Sequence, residues 1–205
     1  MHEFGSSGVR GVAYADLSPT DVLELAQAVG RTLEPDRVAI AQDTRLTGST
    51  FGDAVTSGLT SVGVSVDRLG IVPTPALQAY CAAQSVAGVM VTASHNPPEY
   101  NGLKLIGTDG VELTRNVLDD VEAAAARGVS PVDWARSGDS RHVEGVLSRY
   151  REQLLESVDR GAIADADLTV VIDPGHGAGS ESNPAIFREL GCRVLTVNAQ
   201  PDGRF

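Results

Sequence analysis

Short apolar runs alternate along the chain with longer segments in which apolar residues recur every three or four positions. The short runs predict buried strands, and the periodic segments predict helices that pack one face against a sheet. Strands are predicted at 37–41, 63–67 and 86–91. Helices are predicted to begin at Ser18-Pro19, to span about 49–61, to run from Pro73 to Gln84 and to span 116–127. Strands that alternate with helices in this way are typical of a doubly wound α/β layer.

Three later segments have other patterns. Residues 102–111 predict a hairpin of two short strands around a Thr108-Asp109-Gly110 turn. Residues 128–140 contain proline and glycine and are interpreted as a connector. A long amphipathic helix is predicted over about 143–159 because its apolar residues keep helical spacing.

A second α/β unit is predicted after this helix. It comprises a strand at 168–172, a loop at 173–182, a helix near 183–190 and a strand at 193–197. One such unit leaves apolar faces with little to pack against, so we expect a natural domain to continue beyond it. The predicted fold is therefore a mixed, mostly parallel sheet with helices on both faces (1–140), followed by a linker helix and part of a second, similar domain (141–205).

Composition excludes several classes of function. Hydrophobic residues make up 42% and charged residues 21% of the 205 residues, which is ordinary for a globular chain. The net charge is −11 and there is no block of basic residues, which argues against nucleic acid and anionic membranes as partners. No membrane span or signal peptide is visible, so a cytoplasmic protein is expected. Cys81 and Cys192 lack metal-ligand spacing and are interpreted as buried, reduced thiols.

The most reactive side chains lie in one loop. Residues 92–104 follow the predicted strand at 86–91 and contain Ser94, His95 and Lys104, which is the chain's single lysine. Polar groups at the carboxyl end of a strand are where α/β proteins place binding and catalytic residues. The pattern alone leaves two interpretations of Ser94 open: a turn or cap residue, or part of a phosphoryl or acyl transfer site.

This loop reads T-A-S-H-N-P-P-E-Y-N-G-L-K and resembles the phosphoserine loop of the α-D-phosphohexomutases, the phosphoglucomutase/phosphomannomutase family. Further segments resemble that family's motifs in the same order along the chain. These are Glu3–Gly11, with Ser6 in place of the usual threonine, then Asp43-Thr44-Arg45, Val72–Pro75 and Asp173–Gly179.

The resemblance implies a role for each residue of the loop. Ser94 would carry the phosphoryl group, donate it to a hexose phosphate and receive the other phosphoryl group back from a bisphosphate intermediate. This would interconvert the 1-phosphate and the 6-phosphate. Lys104 would be the nearby cation and proton shuttle, and Arg10 would bind the phosphate. His95 would either hydrogen-bond the substrate or phosphate, or orient the loop.

The other matched segments are interpreted as structural. Arg45 is expected to pair with Asp43 or with a loop carbonyl. The 173–179 loop is expected to be mainly architectural, although its glycines leave a nucleotide-binding alternative open.

Parts of the family's site have no match in this sequence. The magnesium loop D-G-D-x-D-R and the sugar-recognition motif G-E-x-S-G-H are absent. A single Mg²⁺ would therefore be contacted from this chain only through the phosphate on Ser94. The expectation is an N-terminal portion of a phosphohexomutase that cannot turn over alone. The alternative is a truncated, non-catalytic fragment that binds a phosphorylated ligand or a protein partner.

Overall fold

The computed structural model describes residues 4–5 and 8–204. The strands are β1 (Val9–Val12), β2 (Arg37–Gln42), β3 (Ser65–Ile71), β4 (Ala87–Val91), β5 (Tyr100–Ile106), β6 (Ser140–His142), β7 (Thr169–Ile172) and β8 (Arg193–Thr196). The helices are α1 (Pro19–Leu33), α2 (Gly48–Ser61), α3 (Thr74–Gln84), α4 (Arg115–Arg127), α5 (Val146–Glu156), α6 (Arg160–Asp165) and α7 (Gly179–Glu189), with a 3₁₀ turn at Trp134–Arg136.

Six strands form one sheet in the order β1-β5-β4-β2-β3-β6. β4, β2, β3 and β6 are parallel to one another, and β5 pairs antiparallel with β1 on one side and with β4 on the other. Val38 and Ile40 of β2 face the core formed with α1, α2 and α4, whereas Ala39 and Ala41 face α3 and α5. A central strand that is buried on both faces must be apolar throughout, which explains the uninterrupted run in β2. The predicted mixed, mostly parallel sheet with helices on both faces is confirmed.

Local signals located the first helix correctly. Ser18 precedes α1 in an extended conformation, and its Oγ accepts a hydrogen bond from the Asp21 amide at 3.2 Å. The Asp21 carboxylate in turn accepts from the Ser18 amide at 2.7 Å. This reciprocal capping box satisfies two amides that a helix start otherwise leaves unpaired, and Pro19 needs no such partner.

The predicted hairpin at 102–111 is wrong in its second arm. β5 begins at Tyr100, and its antiparallel partner in sequence is the preceding strand, β4. After the turn the chain forms only an isolated bridge between Ile106 and Glu112. β1 already pairs with the first four residues of β5. Few backbone groups on that edge of β5 are therefore left to pair with the segment that follows the turn.

Two predicted helix boundaries are also wrong. The helix predicted over 143–159 is shorter at both ends, since α5 begins only after Gly145 and ends at Glu156. A separate helix, α6, begins after Asp159, whose carboxylate accepts from the Ala162 amide at 3.0 Å. α7 begins at Gly179 rather than at 183, with Pro184 inside it. The connector at 128–140 ends in β6, whose residues are all exposed and therefore show no apolar pattern.

A buried carboxylate joins the edge of the sheet to α3. Asp67 on β3 is 1% exposed and accepts hydrogen bonds from Arg37 (2.9 Å), Arg141 (2.7 Å) and the Tyr80 hydroxyl (2.8 Å). Burial alone would raise the pKa of Asp67, but the hydrogen bonds from Arg141, Tyr80 and Arg37 hold it below its usual value. Burial, together with the hydrogen bond to the Asp67 carboxylate, raises the pKa of Tyr80. This network, together with the pairing of β6 with β3, holds β6 at the edge of the sheet.

The second unit has a small core. β7 and β8 form a parallel pair whose inner face packs with Leu155, Leu190 and Cys192. On the outer face, Val171 is 64% exposed and Leu195 is 54% exposed. This agrees with the expectation that a single βαβ unit leaves apolar surface uncovered. No helix among the described residues has the length and apolar character needed to cross a bilayer.

The two cysteines are reduced and buried, as predicted. Cys81 lies in the core between the sheet and α3, where burial raises the pKa of its thiol to about 12. Cys192 lies in the smaller core of the second unit. The thiolate is the reactive form, and a buried thiol reacts only when the structure opens.

We therefore expect alkylation by iodoacetamide to modify Cys192 at least about tenfold faster than Cys81, because smaller units open more readily. Peptide mass spectrometry over a time course separates the two rates. Equal rates, or faster modification of Cys81, would contradict the assignment of Cys81 to the more stable core.

Candidate active site

The loop between β4 and β5 presents Ser94 at the carboxyl edge of the sheet. Ser94 is exposed and has a φ of 55°, in the left-handed region that few serines occupy. Its amide donates to Thr92 Oγ1 at 2.9 Å, and Thr92 Oγ1 donates to Asp43 Oδ2 at 2.6 Å. Positive φ angles at non-glycine residues persist where surrounding contacts hold them, and they cluster at functional sites.

Arg45 lies beneath this loop, with its side chain fully enclosed. Its Nε donates to Asp43 at 3.1 Å. The two terminal nitrogens donate to four backbone carbonyls of the loop, those of Pro97 (2.6 Å), Tyr100 (2.8 Å), Ser94 (3.0 Å) and Asn96 (2.8 Å). Arg45 was predicted to pair with Asp43 or with a loop carbonyl; it binds Asp43 and four loop carbonyls together.

Arg10 reaches the same loop from β1. It lies directly opposite Gly102 in the register of β1 and β5, and its Nη1 donates to Asn96 Oδ1 at 2.9 Å. A Cβ at position 102 would lie 2.1 Å from the Val9 carbonyl oxygen and 2.9 Å from Arg10 Cγ. A glycine is therefore required where the arginine stem crosses the sheet. Glu3, Ser6 and Ser7, in the motif before Arg10, lie outside the described residues.

Lys104 lies on the same face of β5 as Gly102, opposite Met90 of β4. Met90 is one of the residues that line the cleft beside Ser94, so Lys104 is one strand away from that cleft. Its Nζ donates to Glu112 Oε1 at 2.6 Å, and its side chain is 16% exposed. Sequence reasoning missed Glu112. The turn at 107–110 could have indicated this partner, because it returns the chain toward β5 and so brings Glu112 close to Lys104.

An open cleft of about 480 Å³ lies in front of Ser94. Its walls are the Ser94 loop, including the exposed His95, the start of α3 and the loop that precedes α7. Thr44 Oγ1 donates to the His176 carbonyl at 2.8 Å and so joins the two units at this point. The 173–179 loop, predicted to be architectural, thus also forms a wall of the cleft.

Two helices begin at this cleft. Pro73 and Thr74 at the start of α3, and Ala178 and Gly179 at the start of α7, line it, and neither helix has a side-chain cap. The start of a helix carries the positive end of its dipole. The cleft therefore favours an anion even though the whole chain carries a net charge of −11.

The described residues do not assemble a metal site. No group of three histidine, cysteine or acidic side chains is placed among them to hold an ion. Asp43 is the carboxylate that lines the cleft, and both of its oxygens accept hydrogen bonds, from Arg45 and Thr92. A full set of oxygen ligands for Mg²⁺ does not fit these residues.

Both units of the chain match protein-family models. The family model "Phosphoglucomutase/phosphomannomutase, alpha/beta/alpha domain I" matches residues 1–130, and the model for domain II matches residues 148–205. A probable phosphoglucosamine mutase of Methanocella arvoryzae is 37% identical over 205 residues, which cover 100% of this chain and 45% of that protein. A phosphoglucomutase/phosphomannomutase of Thermococcus kodakarensis is 40% identical over 209 residues, which cover 98% of this chain and 46% of that protein.

A solved structure of similar fold is described as a putative phosphomannomutase from Thermus thermophilus. It superposes with a TM-score of 0.88 at 28% identity and covers 98% of this chain and 47% of that chain. The chain spans less than half the length of the relatives that it matches. The two matched domain models and the cleft at Ser94 lead to one conclusion: the chain belongs to the phosphoglucomutase/phosphomannomutase family.

Proposed function

We propose that this chain is the phosphoryl-carrying part of a phosphohexomutase and that Ser94 is the carrier. The observation that supports this most strongly is the presentation of Ser94 itself. It is an exposed hydroxyl on a tightly hydrogen-bonded loop that faces a cleft lined by the starts of two helices. Phosphoryl transfer needs positioning and positive potential more than covalent help, and the cleft supplies both.

The proposed step is a displacement at phosphorus. A sugar hydroxyl oxygen forms the new P–O bond, the bond between phosphorus and Ser94 Oγ breaks, and the proton of the sugar hydroxyl is transferred to the released Ser94 Oγ. The bisphosphate then reorients, and its other phosphoryl group returns to Ser94 by the reverse step. The net change moves a phosphate between the 1- and 6-positions of a hexose, as the resemblance to the phosphohexomutases implies.

Supporting roles are proposed for three neighbours. Arg10 holds Asn96 at one end of the loop and places a guanidinium on the face of the sheet that leads to the cleft. Lys104, on the same face, is the proposed proton shuttle once its Glu112 partner is exchanged for substrate. His95 lines the cleft and would hydrogen-bond the phosphate or sugar.

Mg²⁺ is proposed as the cofactor of the whole enzyme. When bound, it would neutralise charge on the transferring phosphoryl group. In this chain only the phosphate on Ser94 is proposed as a ligand, because the described residues do not form the rest of a site.

We propose a boundary between the two domains near residue 140. The matched ranges of the two family models leave 131–147 between them, and α5 contacts both α3 and α7. The segment that contains β6 and the start of α5 would then be the link between domain I and an incomplete domain II.

The carrier assignment is tested by incubating the chain with glucose 1,6-bisphosphate and Mg²⁺ and measuring its intact mass. We expect the mass of one phosphoryl group to be added to the wild type and none to Ser94→Ala. An adduct that persists in Ser94→Ala would refute the assignment. Reversible binding of the bisphosphate without any adduct would instead favour the alternative, a non-catalytic fragment that binds a phosphorylated ligand.

A further inference from the structure

We infer that Arg45 is a positioning residue that sets the backbone of the Ser94 loop for phosphoryl transfer. The catalytic part of this inference, an effect on phosphoryl transfer, rests on the proposed function of Ser94. It goes beyond the pairing of Arg45 with Asp43, because it assigns the arginine an effect on the rate at which Ser94 accepts phosphate. Its structural part, the control of the loop's conformation, stands on the contacts of Arg45 alone.

The first observation is the direction in which the loop's carbonyls point. The carbonyls of Ser94, Asn96, Pro97 and Tyr100 all converge on the terminal nitrogens of Arg45, at 2.6–3.0 Å. A loop without regular structure would ordinarily turn such carbonyls toward water. Because they turn inward here, the Ser94 side chain is left on the outer, exposed side, facing the cleft.

The second observation is a connected path of hydrogen bonds. Asp43 accepts from Arg45 through one oxygen to Nε and through the other to the Arg45 amide. The oxygen that pairs with Nε also accepts from Thr92, and Thr92 accepts from the Ser94 amide. Arg45 therefore holds Ser94 from two sides, directly at its carbonyl and through Asp43 and Thr92 at its amide.

The third observation is that the geometry requires a guanidinium. Arg45 uses all five of its N–H groups in these contacts, and its side chain is fully enclosed. A lysine keeps the positive charge but has three donors on one nitrogen, so it cannot span four carbonyls and a carboxylate. Ser94 has a positive φ, and it should relax toward commoner angles once these contacts are reduced.

The experiment measures how fast Ser94 is loaded from glucose 1,6-bisphosphate, by intact mass, over a range of bisphosphate concentrations. Three variants are compared with the wild type: Arg45→Lys, Thr92→Val and the control Arg31→Lys. Arg31 is exposed in the last turn of α1, away from the site, so the control carries the same chemical change without the contacts. Thr92→Val removes the hydrogen bond from the Ser94 amide to the Thr92 hydroxyl and leaves Arg45 in place. This second variant tests the inference even if Arg45→Lys does not fold.

We expect Arg45→Lys to lower the saturating loading rate about a hundredfold, the effect of a small misplacement of a reacting group. The bisphosphate concentration at half-maximal rate should change less than about twofold, because Arg45 does not face the ligand. Thr92→Val should show a smaller loss of the same kind, and Arg31→Lys none. A loading rate equal to that of the wild type in a folded Arg45→Lys variant would overturn the inference. If Arg45→Lys does not fold, a wild-type loading rate in Thr92→Val would overturn it.

Amide hydrogen exchange separates this inference from the proposed function. In Arg45→Lys, the amides of Asn96 and Tyr100 should exchange at least about tenfold faster while those of β4 and β2 stay protected. If the wild type accepts no phosphate, the carrier proposal fails and exchange alone decides the structural part. Unchanged exchange in the loop, or faster exchange spread evenly over the whole domain, would show that Arg45 does not set the loop.

Discussion

Gly102→Ala is expected to lower the free energy of unfolding by about 3 kcal/mol. β5 lies between β1 and β4, and an added Cβ would meet the Val9 carbonyl and the stem of Arg10. Neither can move easily, because one is backbone within the sheet and the other holds Asn96. The substitution should therefore also separate Arg10 from the Ser94 loop and slow phosphoryl loading.

Urea denaturation followed by circular dichroism measures this effect. Gly161→Ala is a suitable control, because position 161 lies in the exposed helix α6 and an added Cβ would meet only the side chain of Asp159, at 3.5 Å. The control should be neutral or slightly stabilising, since alanine favours helix more than glycine by about 1 kcal/mol. Equal stabilities of the two variants would contradict the packing described for β5.

The second large effect is expected for Asp67→Asn, which should lower the free energy of unfolding by about 3 kcal/mol near neutral pH. The side chain is almost completely enclosed and accepts from two arginines and a tyrosine. An asparagine has the same shape but carries no charge, and its NH₂ group cannot accept the hydrogen bonds that one carboxylate oxygen takes from Tyr80 and Arg141. Asp53→Asn is the control, because its contact with Arg68 is a surface pair, worth about 0.5 kcal/mol.

The effect of Asp67 should depend on pH in one direction. Its pKa is lower in the folded protein than the unfolded value of about 3.9, so its contribution is fully present above that value. The contribution is lost as the pH falls through the folded pKa, because the carboxylate is then protonated in both states. The stability difference between wild type and Asp67→Asn should be constant above about pH 5 and shrink below about pH 4. A difference that grows with acidity would contradict the network.

Much of the fold could be predicted because its signals are local. The capped start of α1 and the apolar strand β2 each carry their pattern within a few residues. β6 could not be predicted, because its three exposed residues have no apolar pattern. It is a strand through pairing with β3 and through the contact of Arg141 with Asp67, and both depend on residues far away in sequence.

The candidate site also has parts that the sequence predicted and parts that it did not. The motif around Ser94 and its single lysine were visible in the sequence, since they lie in one loop. The sequence did not predict that Arg45 binds four carbonyls at once, nor the Glu112 partner of Lys104, nor the Thr44–His176 contact. Each of these contacts forms only when the folded chain brings together segments that are distant in sequence or folded back by a turn.

The position of the phosphoryl group tests the central claim most directly. After incubation with glucose 1,6-bisphosphate and Mg²⁺, the chain is digested and the phosphate is located by fragmentation mass spectrometry. The account predicts phosphate on Ser94 in the wild type and no phosphate anywhere in the 92–104 segment of Ser94→Ala. Phosphate on Thr92 or His95 of the wild type, with Ser94 unmodified, would contradict it.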